Sequence, residues 1–399
     1  MHVERAGTLP GMIDESRLPY ITDLKLTGEL NGTDIRLIRT LAQENLQILD
    51  LSEARIVEGG ATYYSDYRTS NDIIGSYMFY NPDYSPISPC AISKINLPNS
   101  VTGIERGAFI DCTSLTDINI PNSVTSIGGS AFSGCTSLTD INIPNSVTSI
   151  GGAAFSGCTS LTNINIPNSV TSIGDGAFRD CTSLTNINIP NSVTSIGDWA
   201  FSSCTSLTNI NIPNSVTSIG GDAFKNCTSL TDINIPNSVT SIGGGAFRDC
   251  TSLTNINIPN SVTSIGGWAF SSCTSLTNIN IPNSVTSIEV QAFNKCDNLK
   301  SVYMNASTPP FIGSQAFFDC SKDLTIYIPR GSYTAYWISY WGNYNLVEYD
   351  PTDIQGVTTS AHNGVEKYFS IDGRPLPGPC KGMNIIQDTD GKTRKAWIP

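Results

Sequence analysis

The sequence predicts a solenoid in which short parallel strands are stacked in coils of 23 residues. One block of residues recurs at a fixed step along most of the chain, and each copy carries more apolar side chains than one unit can enclose. Each copy also contains a short alternation of apolar and polar residues that ends at a proline. Because one unit cannot bury its own apolar residues, neighbouring units must stack to share a continuous core.

The repeating block begins at Leu115 and ends at Ile127, and its step is 23 residues. Further copies begin at Leu138, Leu161, Leu184, Leu207, Leu230, Leu253 and Leu276. Weaker copies occupy residues 92–112 and follow Leu299 and Leu324. We therefore expect the solenoid to span residues 92–330, with about ten coils stacked at the spacing of neighbouring strands.

Each copy predicts two extended segments. Residues 118–120, Ile-Asn-Ile, are typical of a short strand whose isoleucines face inward. Pro121 ends this strand, because proline has no N–H group for the next hydrogen bond of a ladder. Residues 124–127 predict a second extended segment, which returns along the other side of the coil.

A glycine follows the second extended segment in the regular copies. Only glycine adopts a positive φ without steric cost, so Gly128 and its equivalents as far as Gly266 are expected to have that conformation. Glu105 and Glu289 occupy the same place in the first and last regular coils. We therefore predict that glycine is favoured at this position but not required.

Residues 1–91 predict an N-terminal cap with irregular strands. The runs at 24–26 and 46–51 have the strand pattern of the repeat without its strict step, as expected where a solenoid ends. Residues 57–89 break the period and are rich in tyrosine. This Tyr-rich insertion is either a cap that folds over the first coils or a recognition loop, and the sequence leaves both interpretations open.

Composition argues against two kinds of partner. The net charge of -12 and the pI of about 4.6 disfavour nucleic acid, whose binding requires Lys and Arg to displace counterions. No run approaches the roughly 20 apolar residues that cross a bilayer, and residues 1–5 lack the apolar region of a signal peptide. We therefore expect no nucleic-acid partner and no membrane span, and interpret the chain as an exported protein whose signal is absent from this sequence.

The consensus Leu-x-x-Ile-x-Ile-Pro-x-x-Val-x-x-Ile-Gly-x-x-Ala-Phe-x-x-Cys covers residues 92–320 in consecutive copies. This pattern resembles the BspA-like, or Treponema-type, leucine-rich repeats that are common in surface proteins of Bacteroidetes. The resemblance implies a leucine-rich-repeat solenoid. It also implies a secreted or surface-displayed protein that binds host or matrix proteins.

The resemblance extends to the C-terminal flank. Residues 328–332, followed by Tyr336, Trp337 and Trp341, look like the C-terminal cap of Bacteroidetes repeat proteins, in which aromatic residues would close the open end of the core. The tail is similar to the small C-terminal β modules of that phylum, some of which sort or anchor their proteins. The flank is thus expected to contain a cap at 331–350, a linker at 351–364 and a small β module at 365–399.

Cysteine recurs at the repeat step. The cysteines concerned are Cys112, Cys135, Cys158, Cys181, Cys204, Cys227, Cys250, Cys273 and Cys296. No close pair such as C-x₂-C occurs, which disfavours a metal site. Disulfides between neighbouring coils are harder to exclude, since a spacing of about 4.8 Å falls inside the usual range for bridged Cα atoms. We favour buried free thiols that pack as small hydrophobic groups.

Residues suited to catalysis do not converge. The histidines, His2 and His362, lie in terminal segments, and no G-x-S-x-G elbow occurs. Asp117, Asp140 and Asp232 are replaced by asparagine in the other regular coils, which indicates drift and not an active site. We therefore expect a non-enzymatic protein without a cofactor.

Candidate ligand-binding residues lie where the repeat varies or is interrupted. Variation falls on the two residues before and the two after each Ala-Phe pair, and tryptophan is enriched at binding hot spots. The candidates are Tyr63, Tyr64, Tyr67, Tyr77 and Tyr80 in the insertion, and Arg179, Trp199, Arg248 and Trp268 beside the Ala-Phe pairs. The last two repeat the preceding pair three coils further along the chain. Packing within the turn is the alternative for both tryptophans.

The invariant Thr116 and Asn119 and their equivalents predict rows of identical exposed side chains. We interpret these rows as side-chain ladders that form hydrogen bonds along the solenoid, and the alternative is a flat face for a repetitive ligand such as a glycan. The function predicted from sequence is binding of an extracellular protein or glycan, by a protein that is secreted or at the cell surface. The alternative is a structural spacer that displays its flanking segments.

Overall fold

A computed structural model describes residues 1–80 and 90–350, together with four strands in the C-terminal tail. The solenoid prediction is confirmed, because the chain forms about 15 turns of short parallel strands in coils of about 23 residues. The turns outnumber the ten or so that were expected. Part of the excess comes from the first 91 residues, whose strands join the same ladders as the regular coils.

A first ladder of parallel strands runs along one side of the coils. Neighbouring strands pair in register, so that Asn163 lies beside Asn186 and Ile164 beside Ile187. In each regular strand a buried isoleucine lies between two exposed polar residues. The strands as far as residue 281 are His2–Val3, Asp23–Leu30, Ile48–Ile56, Lys94–Asn96, Asp117–Asn119, Asn163–Asn165, Asn186–Asn188, Asn209–Asn211, Asp232–Asn234, Asn255–Asn257 and Asn278–Ile281. A bridge between Asn142 and Asn165 connects the coil at 140–142 to strand Asn163–Asn165.

A second ladder of two-residue strands follows the Val-Thr-Ser-Ile segment of each coil. Its strands are Ile73–Ile74, Gly103–Ile104, Ser126–Ile127, Ser149–Ile150, Ser195–Ile196, Ser218–Ile219, Ser241–Ile242, Ser264–Ile265, Ser287–Ile288 and Phe311–Ile312. Ile173 bridges the coils on either side of it. The second extended segment predicted from the sequence is therefore present in the described coils.

The N-terminal region continues the solenoid with one helical coil. Helix Gly32–Glu44 connects the parallel strands Asp23–Leu30 and Ile48–Ile56, and it begins with a capping box formed by Asn31 and Asp34. Asp34 is buried and also accepts hydrogen bonds from the backbone N–H groups of the segment 7–9. The remaining elements here are helix Leu9–Met12, the 3₁₀ helix Glu15–Tyr20 and the hairpin of Gly59–Tyr64 and Tyr67–Thr69.

The Tyr-rich insertion does not simply interrupt the repeat. Strand Ile73–Ile74 pairs in parallel with Gly103–Ile104, and the ring of Phe79 stacks on that of Phe109 at 4.9 Å. Residues 72–80 therefore form part of a coil, and the ladders continue across the boundary expected at residue 92. The sequence pattern concealed this coil because Phe79 and Phe109 are separated by more than one regular step of the repeat.

Phenylalanine rings form one column through the core. They are Phe79, Phe109, Phe132, Phe155, Phe178, Phe201, Phe224, Phe247, Phe270, Phe293 and Phe317. Adjacent rings are stacked with centroids 4.9 to 5.6 Å apart. Cysteines line the same core, and each regular thiol donates to the carbonyl of the phenylalanine one coil earlier, as Cys135 does to Phe109 at 3.1 Å. All eleven cysteines in the described residues are free, and all except the half-buried Cys320 are buried, as the buried-thiol prediction requires.

The prediction for Gly128 and its equivalents is wrong, since none of them has a positive φ. Close approach of neighbouring coils explains the glycine instead. A Cβ atom on Gly243 would lie 2.6 Å from the backbone carbon of Gly220. Positive φ occurs at two other positions of each coil, directly before Ala-Phe and directly before Cys, and both belong to the variable set.

The C-terminal unit comprises residues 303–309 and 325–399 and contains strands Thr325–Pro329 and Asn345–Tyr349, which pair in parallel. Strand Ser301–Met304 comes before both of them in the chain. Between them lie helix Tyr333–Trp337 and the 3₁₀ helix Tyr340–Asn343. Of the aromatic residues expected to close the core, Tyr336 and Trp341 are buried with rings 5.9 Å apart, whereas Trp337 is 57% exposed. The predicted linker lies outside the described residues. In the predicted β module the described strands, Lys367–Phe369, Pro375–Leu376, Gly382–Gln387 and Thr393–Ile398, form an antiparallel sheet.

Candidate binding surfaces

The first ladder presents a uniform polar surface, which we call the sheet face: the exposed first and third residues of each strand and the threonine before it. Three adjacent coils form a shallow open groove there of about 410 Å³, lined by residues 163–165, 186–188 and 209–211. The predicted ladders form in part: threonine hydroxyls donate to backbone carbonyls of the preceding coil, as Thr185 does to Thr162 at 3.4 Å. The sheet face therefore has the same chemistry at nearly every coil.

A more varied surface lies where each coil closes around its Ala-Phe pair. We call this surface the turn face: the two residues before and the two after each Ala-Phe pair or its equivalent. The residues directly before the pair form what we call the left-handed column, namely Tyr77, Gly107, Ser130, Ala153, Gly176, Trp199, Asp222, Gly245, Trp268, Gln291 and Gln315, all with φ between 50° and 64°. Each regular member donates its backbone N–H to the next coil, as Trp199 does to Gly221 at 2.9 Å.

The left-handed column brings together candidates that are far apart in sequence. Tyr77, Trp199 and Trp268 all belong to it. Sequence reasoning had placed Tyr77 in a separate insertion. The signal that identifies its register is the run Ile-Ile-Gly-Ser-Tyr-Met-Phe at 73–79, which matches Ser-Ile-Gly-x-x-Ala-Phe once the irregular spacing is allowed.

Both tryptophans are partly exposed and fixed in orientation. Trp199 is 44% exposed and Trp268 is 41% exposed. The indole N–H of Trp199 donates to Asp222 Oδ2 at 3.1 Å, and that of Trp268 donates to Gln291 Oε1. Each indole thus spans to the following coil, where its polar edge is satisfied. A substantial part of each tryptophan remains open to solvent, so packing within the turn accounts for only part of the side chain.

Arg179 and Arg248 lie one coil before the two tryptophans. Each forms an ion pair with the next residue, with Nε–Oδ2 distances of 3.3 Å to Asp180 and 3.4 Å to Asp249. These side chains are 56% and 43% exposed, so such pairs add little stability. Their charge is therefore balanced locally, while the guanidinium groups remain partly accessible on the turn face.

Four tyrosines form a cluster at the N-terminal end of the turn face. The rings of Tyr64, Tyr67, Tyr77 and Tyr80 lie with neighbouring centroids 5.4 to 6.4 Å apart. Tyr63 does not belong to this tyrosine cluster, because it is only 4% exposed and its hydroxyl donates to the carbonyl of Ser76 at 2.9 Å. Burial raises the pKa of the Tyr63 hydroxyl. Tyr63, a ligand-binding candidate from the sequence, is therefore buried and is not accessible at the surface.

Arg39 forms hydrogen bonds with the backbone that carries part of the tyrosine cluster. It lies in helix Gly32–Glu44, is 6% exposed, and donates to the backbone carbonyls of Tyr77, Met78 and Tyr80 at 2.6 Å each. Its guanidinium carbon lies 5.0 Å from the ring centroid of Tyr64. Desolvation lowers the pKa of Arg39. Sequence reasoning missed this residue, since an arginine in an amphipathic helix is ordinarily solvated.

The sequence model described as the BspA type leucine-rich repeat region matches residues 72–208 and 200–324, in six copies. The chain belongs to this family. Proteins with leucine-rich repeats are generally non-enzymatic binding scaffolds, and membership suggests a binding or recognition role. The match begins at residue 72, where the first two-residue strand of the second ladder is about to start.

Several solved structures are similar to this BspA-type chain. A leucine-rich repeat protein from Bacteroides ovatus is 27% identical, over 72% of this chain and 90% of its own, with a TM-score of 0.42. A leucine-rich cell surface protein from Faecalibacterium prausnitzii is 29% identical, over 70% and 88%, with a TM-score of 0.40. The leucine-rich repeat protein of T. pallidum is 29% identical, over 48% and 75%, with a TM-score of 0.36. A search of curated proteins found no match.

The buried thiols of this BspA-type repeat are poorly suited to chemistry. Burial raises the pKa of Cys158, Cys204 and Cys250 to about 12, so that almost no thiolate exists at neutral pH. Within the described residues, no group of three or more His, Cys, Asp or Glu side chains could hold a metal ion. None of the described helices is long and apolar enough to cross a membrane.

Proposed function

We propose that this chain is a non-enzymatic binding protein, secreted or displayed at the cell surface, whose ligand-binding surface is the turn face. One observation carries the proposal. Trp199 and Trp268 occupy left-handed positions, where their φ values are 55° and 57°, and both remain more than two-fifths exposed. A bulky residue in this conformation costs on the order of 1 kcal/mol, which glycine would avoid. A tryptophan that is exposed at such a position supports a role for its ring in binding.

Contrast with the surrounding surface supports the turn face. Selective recognition needs positions that differ from their surroundings, and the regular coils differ mostly beside the Ala-Phe pair. Aromatic and arginine side chains dominate binding hot spots, and Trp199, Trp268, Arg179 and Arg248 are of these types. The tyrosine cluster extends the same column at one end. Rigid aromatic rings bind with little loss of side-chain entropy, since each has only two side-chain torsions.

An extracellular protein or a glycan is the partner class that we propose. The family includes bacterial surface proteins, and the similar chain from F. prausnitzii is described as a cell surface protein. A net charge of -12 is unfavourable for binding to nucleic acid. The low content of charged residues, 14%, together with abundant hydroxyl and amide groups suits a partner recognised through hydrogen bonds and aromatic contacts.

The test compares matched double variants on the two faces. Trp199→Ala with Trp268→Ala alters the turn face, and Asn188→Ala with Asn257→Ala alters exposed sheet-face residues that are also three coils apart. Both proteins are screened beside the unmodified chain against immobilised extracellular matrix proteins and mucosal glycans. We expect the tryptophan variant to lose at least tenfold in affinity and the asparagine variant to lose less than twofold. The reverse order would place the binding surface on the sheet face.

A structural spacer is the second candidate, because the near-identity of the regular coils favours it. Deleting residues 176–244 removes one three-coil block and leaves the repeat in register. If the coils only set the distance between the flanks, affinity for the ligand found in the screen is unchanged. If the turn face binds, affinity falls because Trp199 and Arg179 are lost. An unchanged affinity would reject the turn-face proposal in favour of the spacer.

A further inference from the structure

We infer that Trp199 and Trp268 are two equivalent subsites for one linear, β-1,4-linked polysaccharide that lies along the left-handed column. This inference rests on the proposed function and specifies its ligand class. The two sites have the same construction: a half-exposed indole in the left-handed column, whose N–H donates to an acceptor in the following coil. In each case an arginine that is ion-paired to the next residue lies one coil earlier.

The two three-coil blocks share many identical residues, but sequence identity does not account for every shared feature. The third coil of the two blocks has diverged, with Gly221, Asp222 and Lys225 in one block and Val290, Gln291 and Asn294 in the other. The acceptor for the indole N–H is nevertheless present in both, as a carboxylate oxygen of Asp222 and as an amide oxygen of Gln291. The orientation of the indole has therefore been preserved while the side chain that fixes it has changed.

Between the two rings the left-handed column carries no bulky side chain. Only Asp222 and Gly245 separate the tryptophans within the left-handed column, and the carboxylate of Asp222 lies against the position where a side chain on Gly245 would begin. The phenylalanine column beneath advances by 5.4 to 5.5 Å per coil, and the tryptophans are three coils apart. The two tryptophan rings therefore lie at the ends of a short polar strip that carries the carboxylate of Asp222, and the amide of Gln291 lies one coil beyond Trp268.

This arrangement fits a sugar polymer. Both faces of a β-1,4-linked glucose-type ring carry axial C–H groups, which pack against an indole, while its equatorial hydroxyl groups form hydrogen bonds with carboxylates and amides at the edges. A linear polysaccharide repeats the same ring at a constant interval, so it can occupy two identical subsites at once. The irregular surface of a folded protein has no such repetition. Binding at the second subsite is then intramolecular, and the polymer gains affinity through avidity.

The experiment uses the full chain and defined probes. Soluble linear polysaccharides and trisaccharides of β-1,4-linked glucose, xylose, mannose and N-acetylglucosamine are titrated by calorimetry, and α-linked amylose serves as the linkage control. We expect at least one β-linked polysaccharide to bind, and its trisaccharide to bind weakly with two molecules per chain. Trp199→Ala and Trp268→Ala should each lower the trisaccharide stoichiometry to one and weaken the polysaccharide at least tenfold. Asn188→Ala with Asn257→Ala should change neither quantity.

Three results would overturn the inference: no β-linked probe binds, amylose binds equally well, or the single tryptophan variants leave a stoichiometry of two. Circular dichroism of each variant establishes that the fold is retained. If a matrix protein from the screen depends on both tryptophans while every sugar fails, the polysaccharide inference falls and the turn-face proposal stands. If no ligand of either class depends on the tryptophans, both fall.

Discussion

The sheet face and the turn face are built by the same coils and share one core, yet they differ in what the fold allows to vary. On the sheet face, Asn163 of one coil pairs in register with Asn186 of the next, and the pattern continues with little change. On the turn face, the same step of the repeat carries alanine, glycine, tryptophan or aspartate at one position. The difference teaches that uniformity here marks structural columns, whereas variation marks positions that the core leaves free.

The largest loss of stability should come from a change in the phenylalanine column, which both faces share. Phe201 is fully buried, and its ring lies 5.6 Å from that of Phe178 and 5.5 Å from that of Phe224. Phe201→Ala leaves a cavity between two rings and should cost about 3–5 kcal/mol of unfolding free energy. Ile210→Val, on the sheet side of the following coil, should cost only about 0.5–1.5 kcal/mol. Urea unfolding, monitored by circular dichroism, measures the unfolding free energy of both variants.

Comparable losses for the two variants would contradict this prediction, because they would show that the ring column does not dominate the packing. A smaller effect for Phe201→Ala than for Ile210→Val would reverse the order. The comparison also checks whether the phenylalanine column is a single cooperative element. If it is, removal of the Phe201 ring should also lower the stability of neighbouring coils, as expected when repeats are coupled to their neighbours.

An intermediate loss of stability is expected at one of two adjacent glycines of the turn but not at the other. A Cβ atom on Gly243 would lie 2.6 Å from Gly220 and 2.7 Å from the N atom of Gly221, whereas a Cβ atom on Gly244 would meet nothing nearer than 3.3 Å. Gly243→Ala should therefore cost about 1–3 kcal/mol, because two backbones must move apart. Gly244→Ala is the matched control and should cost less than Gly243→Ala, because the carbonyl of Gly267 needs to shift by only a few tenths of an ångström. Equal effects would remove the close-approach explanation.

The sequence determined the regular part of the fold almost completely. The strict step, the alternation at 118–120 and the proline after it predict both ladders, since every coil repeats one local pattern. The irregular coil at 72–80 was missed because its spacing differs, although its residues match the repeat. The role of Gly128 was misassigned because both close backbone approach and a positive φ select glycine, and one sequence does not distinguish these causes.

The candidate site was only partly predictable. Trp199 and Trp268 could be identified because they interrupt an otherwise uniform pattern. Their hydrogen bonds to Asp222 and Gln291 were not, because the contacts join neighbouring coils whose side-chain directions depend on backbone conformation. Burial of Tyr63 beside the half-buried Tyr64 and the exposed Tyr67 likewise depends on the hairpin at 59–69. Composition alone treats neighbouring tyrosines as equivalent, whereas a strand places successive side chains on opposite faces.

The smallest expected effect on stability gives the sharpest comparison between the faces. Glycine replaces one exposed residue on each, in Trp199→Gly and in Asn211→Gly. Asn211 lies in a strand, where glycine should cost about 0.5–1 kcal/mol because it loses more backbone conformational entropy on folding than other residues do. Trp199 has a φ of 55°, so glycine relieves the backbone while the contacts of the ring are lost.

These opposing contributions should leave the unfolding free energy of Trp199→Gly within about 1 kcal/mol of the unmodified chain. Gly176 and Gly245 already occupy the same place in the coil before each tryptophan, so the backbone accommodates glycine there. Thermal and urea unfolding of both variants provide the measurement. A loss above about 2 kcal/mol for Trp199→Gly would mean that the ring is held for packing, and it would remove the reason to place binding on the turn face. A neutral result accompanied by lost ligand affinity would show that this tryptophan contributes to recognition and is not needed for the fold.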